Sequence, residues 1–372
     1  MEKHLHIIAF DIPYPPNYGG AIDVFFRIKA LSESGVKIIL HCFEYNRKRA
    51  AELDNLCVQV IYYKRNTSLL SHLSLLPYTV KSRKNAALIA NLKKDNYPIL
   101  FDGLMCCYYL GASELRGRMK IYREANIEHH YYFELYKATP LGSSKLYYLT
   151  ESFKFWIFEK QLHQAQQIFA ISEVDKTYYA NKFPTTQVNF IPCFHGNNAI
   201  SIDCSQGDYL LYHGNLSVPE NEKSAIYLCQ QVFSKLSYKC IITGMNPSEK
   251  LQKIALQFPN IKLIANPGND ELKTLVTHAQ VHVLITFQST GLKIKLLNTL
   301  FSGKHVVAND KMMAGSGLEA ICHIASTPEK QIEKCNELMQ QPFNQSEIEK
   351  RTLLLIPNFS NKYLADRIIE LV

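Results

Sequence analysis

Residues Phe287–Asp310 read FQSTGLKIKLLNTLFSGKHVVAND, and this stretch decides the fold class. An apolar strand, Val281 to Phe287, leads into a Thr-Gly pair that opens a helix. Gly303 ends that helix, and a second strand, His305 to Ala308, follows at once. A strand, a helix and a second strand in this order are typical of a βαβ unit in a parallel sheet.

The same stretch predicts a phosphate site. Unpaired backbone N–H groups and the positive end of the helix dipole make a helix start suitable for an anion. Gly291 would let a ligand approach the backbone, and Lys293 and Lys295 would add charge. Two lysines that are two residues apart on a helix point in different directions, so we expect one of them to reach the phosphates. The alternative is an ordinary crossover helix with two solvated lysines.

The composition limits the class of protein. The chain has 372 residues, of which 47% are hydrophobic and 20% charged, so two globular domains are expected. No apolar run is long enough to span a bilayer, and the N-terminus lacks the features of a signal peptide. The ten cysteines show no C-x-x-C spacing. We therefore expect no metal site, and a reducing cytoplasmic setting.

The net charge of +8 favours phosphorylated ligands, polyanions or anionic membrane surfaces. Nucleic acid is the weakest of these, because no recognition motif is present and the basic residues are dispersed. Residues 81–94, KSRKNAALIANLKK, form a basic stretch that could touch lipid headgroups or be a solvated helix face. The aromatic residues within 126–166 are expected to pack in a core.

Strand-like and helix-like runs alternate along nearly the whole chain, which predicts an α/β protein with two doubly wound, Rossmann-like domains facing each other across a cleft. The first domain is expected over residues 1–195 and the second over 205–357, with a polar linker near 194–207. A C-terminal helix, 358–372, is expected to pack back on the first domain. Ligands of such sheets bind at the carboxyl ends of the strands.

Several of these strand ends carry glycine. The first strand is followed by DIPYPPNYGG, which ends in Gly19 and Gly20 just before a helix. In the second half, Gly214 and Asn215 follow one strand and Gly244 follows the next. Neither half contains G-x-G-x-x-G followed by the acidic residue of a nicotinamide site, so that cofactor is not expected.

Five segments in this order resemble the GT-B glycosyltransferases, and among them the retaining family 4 group. The resemblance covers most of the chain. It rests on the Gly-Gly loop, on YREANIEHHYYFEL at 122–135, on LYHGNLSVPENEKSA at 211–225, on GMNPSEKLQ with PNIKLIANPGNDELKTLV, and on the stretch at 287–310.

The resemblance implies a retaining transferase, of hexosyltransferase type, that moves a sugar from a nucleotide diphosphate sugar to an acceptor hydroxyl without a metal or cofactor. It implies synthesis of a surface polysaccharide or glycolipid on a lipid-linked acceptor, by a cytoplasmic or peripheral inner-membrane protein. Arg123 and Glu128 are the predicted catalytic residues; a structural ion pair between them is the alternative. The predicted donor-binding residues are Gly19, Gly20, Gly214, Asn215, Gly244, Thr290, Gly291, Leu292, Lys293, Lys295 and Asn298.

The chain departs from the family pattern at three positions. The glutamate that binds the donor ribose is replaced by Asn298, its partner glutamate by Thr290, and a catalytic histidine by Ala125. An amide still bonds to hydroxyls but lacks the charge-assisted contact of a carboxylate. A catalytically silent protein that binds a partner or scaffolds an assembly is therefore one alternative, and a nucleotide-sugar epimerase is another.

Overall fold

The computed structural model describes residues 2–288 and 293–372. The chain divides into two compact units, Met1–Phe194 with Asn361–Val372, and His195–Ser360. The segment expected to be a linker thus belongs to the second unit from His195 onward. The Ser201 N–H there donates to the Phe301 carbonyl at 2.9 Å.

The first unit is built on a sheet of seven parallel strands in the order β3-β2-β1-β4-β5-β6-β7. Apolar side chains bury both faces of this sheet, as a parallel sheet between helices requires. The strands are β1 His4–Ala9, β2 Lys37–Glu44, β3 Gln59–Lys64, β4 Ile99–Asp102, β5 Lys120–Arg123, β6 Gln167–Ala170 and β7 Gln187–Phe190.

Helices connect these strands and cover the sheet. They are α1 Gly19–Glu33, α2 Leu69–His72, α3 Tyr78–Lys81, α4 Ala86–Leu92, α5 Glu128–Ala138, α6 Ser143–Phe158 and α7 Glu173–Lys182.

The second unit has a sheet of six parallel strands in the order β10-β9-β8-β11-β12-β13. Its strands are β8 Tyr209–His213, β9 Lys239–Gly244, β10 Ile261–Ala265, β11 Val281–Leu284, β12 His305–Ala308 and β13 His323–Ile324. Its helices are α8 Pro219–Tyr227, α9 Glu249–Ala255, α10 Asn269–His278, α11 Ile294–Ser302, α12 Asp310–Met313, α13 Pro328–Gln340 and α14 Gln345–Phe359. The last helix, α15 Asn361–Leu371, packs on α1 of the first unit.

Each sheet reverses its winding once, between β1 and β4 in the first unit and between β8 and β11 in the second. A reversal of this kind opens a crevice at the carboxyl ends of the two strands, where ligands bind in doubly wound folds. Gly19 and Gly20, which begin α1 after β1, and Gly214, which follows β8, lie near these two points. The topology therefore brings these three glycines near the strand ends where doubly wound folds bind ligands.

The predicted parallel α/β architecture is confirmed, and the structure adds three local features. The short edge strand β13 was not predicted, because two residues give no periodicity. The segment 126–166 is divided into α5 and α6 by a break at residues 139–142. The basic stretch 81–94 is not one helix, since α3 ends at Lys81 and α4 begins at Ala86.

No helix among residues 2–288 and 293–372 has both the length and the apolar character needed to cross a bilayer.

Candidate functional site

The exit of β8 forms the floor of the candidate site in the second unit. His213 ends the strand as a buried residue, and its Nε2 lies 2.8 Å from the Thr299 hydroxyl of α11. Burial lowers the pKa of His213 to about 3, so the ring is neutral near pH 7. The side-chain oxygen of Asn215 accepts from the Ser217 N–H at 3.1 Å. Asn215 therefore shapes the turn that leads into α8.

Gly244 allows the exits of β8 and β9 to lie against each other. A Cβ atom at this position would be 1.8 Å from the Gly214 carbonyl oxygen and 2.9 Å from a carbon of Leu216. The Gly214 N–H donates to the Thr243 carbonyl at 3.2 Å across the same contact. The close approach of the Gly214 backbone thus requires the absence of a side chain at Gly244.

Lys295 supplies the positive charge at the floor of the candidate site. Its ammonium group donates to the Asn221 side-chain oxygen at 3.0 Å and lies 3.4 Å from the Tyr212 hydroxyl. It also lies 5.0 Å from the centre of the Tyr212 ring, within reach of a cation–π contact. Burial lowers the pKa of Lys295 to about 8, while the charge of Glu220 opposes that shift. Lys295 therefore carries a positive charge at neutral pH in a partly dehydrated environment.

Three partners of Lys295 were not singled out from the sequence, namely Tyr212, Glu220 and Asn221. Glu220 and Asn221 lie in the first turn of α8, and the Glu220 carboxylate also accepts from the Gln288 N–H at 3.3 Å. Asn221 also donates to the Asn215 carbonyl at 2.9 Å. The Pro-Glu-Asn run after β8 was the available signal, because it marks a helix start at a strand exit.

The helix predicted to begin at Gly291 is α11, which begins at Ile294. Lys293 is its N-cap residue, with extended backbone angles, and its carbonyl accepts the Leu296 N–H at 2.9 Å. Its charge also lowers the pKa of Lys295, so the two lysines are neighbours. The other three predicted residues of this loop, Thr290, Gly291 and Leu292, lie outside the described residues.

Asn298 is placed one turn after Lys295 on α11. Its side-chain oxygen accepts from the Asn197 amide at 2.9 Å, and the Asn197 oxygen accepts from the Ser302 hydroxyl at 3.2 Å. Asn298 is thus held by the segment that opens the second unit. Residues three apart lie on one helix face, so Asn298 and Lys295 can contact the same ligand.

In the first unit, Gly19 and Gly20 form the first turn of α1, where the Ile22 N–H makes the first intrahelical bond to Tyr18. A Cβ atom at Gly20 would lie 2.7 Å from the Phe10 ring and 3.3 Å from Tyr18. The glycine therefore keeps this helix start close to the end of β1. The first N–H groups of α1 face outward from the helix, which suits an anion.

Arg123 occupies a structural environment. It is fully buried and bonds to Asp23 at 3.0 Å and to the Pro192 carbonyl at 3.0 Å. Burial would raise the pKa of Asp23, but Arg123 and Arg27 together hold it below its usual value. Arg27 in turn bonds to Asp102.

The alternative interpretation, an ion pair between Arg123 and Glu128, is therefore wrong, because Arg123 pairs with Asp23. Because the guanidinium is committed to protein acceptors inside the unit, we do not assign it a ligand.

Glu128 begins α5 and is buried. Burial raises its pKa to about 8, with Arg83 opposing and Glu159 adding to the shift. The carboxyl group is therefore protonated near neutral pH and can donate a hydrogen bond or exchange a proton.

His129 and His130 follow Glu128 in α5. His130 is exposed, but His129 is half-buried, 3.7 Å from Glu159, with its pKa lowered to about 3 by burial.

Within the described residues, no group of three or more histidine, cysteine or carboxylate side chains is placed to hold a metal ion.

Residues 207–341 match the family model described as glycosyl transferases group 1. The match spans β8 to α13, including every contact of Lys295 described above. A Klebsiella pneumoniae protein described as an uncharacterised 44.6 kDa protein in the cps region is 27% identical over 331 residues, covering 84% of each chain.

Two solved structures resemble the whole chain. A glycosyltransferase from Rickettsia africae has a TM-score of 0.67 at 11% identity, and covers 100% of this chain and 97% of its own. Anabaena HepE, solved with UDP and glucose, has a TM-score of 0.65 at 12% identity, with coverage of 100% and 99%. At sequence identities this low, the structural similarity shows a shared fold and nothing more. The fold is GT-B.

Proposed function

We propose that this protein is a glycosyltransferase that moves a sugar from a nucleotide diphosphate sugar to an acceptor hydroxyl, with retention of the anomeric configuration. The observation that carries the proposal is Lys295, a half-buried cation at the β8–β11 reversal, inside the segment that matches a glycosyltransferase family. The HepE neighbour, solved with UDP and glucose, supports a nucleotide-linked donor.

The chemistry requires a group that stabilises the leaving diphosphate. As the bond between the anomeric carbon and the phosphate oxygen breaks, negative charge grows on that oxygen. Lys295 supplies a fixed positive charge in a site that excludes much of the water, where electrostatic stabilisation is strongest. The acceptor oxygen forms the new bond, and its proton passes to the leaving phosphate. We propose that no metal or other cofactor takes part.

Glu128 is the second group that we assign. Because its pKa is about 8, its carboxyl can donate a hydrogen bond to a sugar or acceptor oxygen near neutral pH. Ala125 leaves no imidazole at the position where the resembling family has one, and Glu128 lies three residues further on. We assign it to positioning on the acceptor side.

The Klebsiella relative in the cps region supports a biosynthetic role in surface polysaccharide or glycolipid. We propose a hexose as the transferred sugar and a lipid-linked acceptor at the cytoplasmic face of the inner membrane.

The experiment that tests the proposal is a screen of UDP-, GDP- and dTDP-sugars by isothermal titration, without added metal. We expect one nucleotide class to bind. Its sugar should then be transferred to a membrane-lipid extract with release of the nucleoside diphosphate. A donor that binds but gives an altered free sugar nucleotide would indicate an epimerase. No binding by any donor would contradict the transferase and favour the silent, partner-binding alternative.

A further inference from the structure

Helix α6 exposes a continuous apolar stripe. Leu146, Leu149, Phe153 and Trp156 recur every three or four residues, the spacing of one helix face. Leu146 is 64% exposed, Phe153 60% and Trp156 46%. The opposite face of the same helix carries Phe155, which is fully buried in the core of the first unit. The core of the first unit therefore uses Phe155 and leaves the apolar residues of the stripe exposed.

Neighbouring segments extend this stripe on both sides. Leu141, just before α6, is 95% exposed, and Phe133 of α5 lies beside the stripe around a pocket of about 290 Å³. On the other side, the carbonyl of His72 accepts from Lys154 of α6 at 3.2 Å, and Leu75 nearby is 94% exposed. A cluster of several exposed large apolar side chains is typical of an interaction surface.

The charged side chains that border the stripe and reach solvent are mainly lysines. Residues 128–160 contain four lysines and four glutamates. Three of those glutamates, Glu128, Glu151 and Glu159, are buried, and Glu134 reaches solvent. Lys137 pairs with Glu134 at 2.8 Å and Lys154 with Glu151 at 3.0 Å, so Lys145 and Lys160 carry the positive charge that these carboxylates leave uncompensated. The lysines at 137, 145, 154 and 160 all keep contact with solvent, and Lys160 lies 5.5 Å from the Trp156 ring centre.

We propose that this face, formed by α6 with Leu141 and Phe133, docks the protein on an anionic lipid bilayer. An apolar face with aromatic residues and a lysine border matches the acyl boundary and the anionic headgroups together. A second copy of the chain fits less well, because a two-fold contact would set the lysine border against itself.

This face replaces the basic stretch 81–94 as the lipid contact. The Arg83 side chain there is buried and donates to the Thr79 carbonyl at 2.7 Å, and the exposed side of α4 carries the small residues Ala86, Ala87 and Ala90. This docking face rests on the proposed function, because it would give a lipid-linked acceptor a route to the helix that begins at Glu128. Vesicle binding can be measured without sugar transfer.

Trp156 is the single tryptophan of the chain and therefore reports on this face directly. With full-length protein and vesicles of phosphatidylethanolamine and phosphatidylglycerol, we expect a blue shift of its emission and quenching by brominated lipids. Vesicles of phosphatidylcholine alone, or high salt, should weaken binding about tenfold or more. Unchanged emission at a lipid excess would overturn the proposal.

The matched variants are Leu146→Glu/Phe153→Glu on the stripe and Leu256→Glu/Leu353→Glu on exposed positions of the second unit. Co-sedimentation with anionic vesicles should fall about tenfold for the first pair only. Equal binding by both pairs would overturn the assignment of this face. The wild type could instead fail to bind vesicles and form a dimer in analytical ultracentrifugation. If the first pair of substitutions abolished that dimer, a second copy of the chain would be what covers this face. Nucleotide-sugar binding by the first pair separates this outcome from a failure of the proposed transferase.

Discussion

The ammonium group of Lys295 lies 3.0 Å from the side-chain oxygen of Asn221. The contact joins the start of α11 to the start of α8, the two helices that follow the strands at the sheet reversal. Because the ammonium has three donors and is only partly buried, it can hold Asn221 and still meet a phosphate oxygen. The protein thus keeps a cation oriented at the point where the fold offers a crevice.

Gly244→Ala should destabilise the second unit. The added methyl group would meet the Gly214 carbonyl at 1.8 Å, and a backbone atom of a neighbouring strand exit cannot move aside as a flexible side chain can. We expect a loss of about 1–3 kcal/mol or more in the free energy of unfolding, measured by urea denaturation. The control is Gly268→Ala, which meets nothing within 4 Å and should be nearly neutral. Equal stability of the two variants would refute the close contact of the strand exits.

Glu128→Gln should change how stability depends on pH. The pKa of this carboxyl rises from 4.5 to about 8 through burial. Between those values the folded protein holds a proton that the unfolded chain has lost, so the stability contributed by Glu128 falls as the pH rises from about 4.5 to about 8.

The neutral amide avoids this loss. At pH 8.5 the variant should exceed the wild type by at least about 1 kcal/mol, with the difference shrinking towards pH 5. Chemical denaturation at pH 8.5 and at pH 5 measures this difference in the free energy of unfolding. The exposed Glu333→Gln variant is the control. A difference that does not change with pH would show that Glu128 ionises normally.

Asn298→Glu should strengthen the binding of the correct nucleoside diphosphate by roughly 1 kcal/mol, because a carboxylate makes stronger hydrogen bonds to ribose hydroxyls than an amide does. It can also keep the contact with the Asn197 amide. Asn298→Gln is the matched variant, since it adds the same length without charge. Titration calorimetry should show a gain for glutamate alone. A gain of equal size in both variants would assign the effect to reach and not to charge.

The parallel architecture was predictable because buried strands and their helices leave a local pattern. Lys295 was predictable for the same reason, because it lies shortly after a strand in the amino-acid sequence. Its partners Tyr212 and Asn221 lie more than 70 residues earlier, and their contact is produced by sheet order. The same limit explains the partner of Arg123, because Asp23 lies 100 positions away and is brought to β5 by α1.

The aromatic residues of α6 show a second limit. Phe153, Phe155 and Trp156 have the same chemical character, yet only Phe155 enters the core. A helix with apolar residues on two faces has no pattern that says which face is buried. We expected all of them to pack inside, and the exposed stripe is visible only in the fold.

A titration of nucleoside diphosphates into the Lys295→Met variant shows whether Lys295 belongs to the donor site. This variant keeps the stem that packs near Tyr212 and removes the charge. The control is Lys253→Met, on the exposed face of α9 in the same unit, where the lysine pairs with Glu249 at 3.8 Å. We predict that the wild type and the control bind one of UDP, GDP and dTDP alike, and that Lys295→Met, still folded, binds it at least about tenfold more weakly. Equal affinity of a folded Lys295→Met would contradict the donor site.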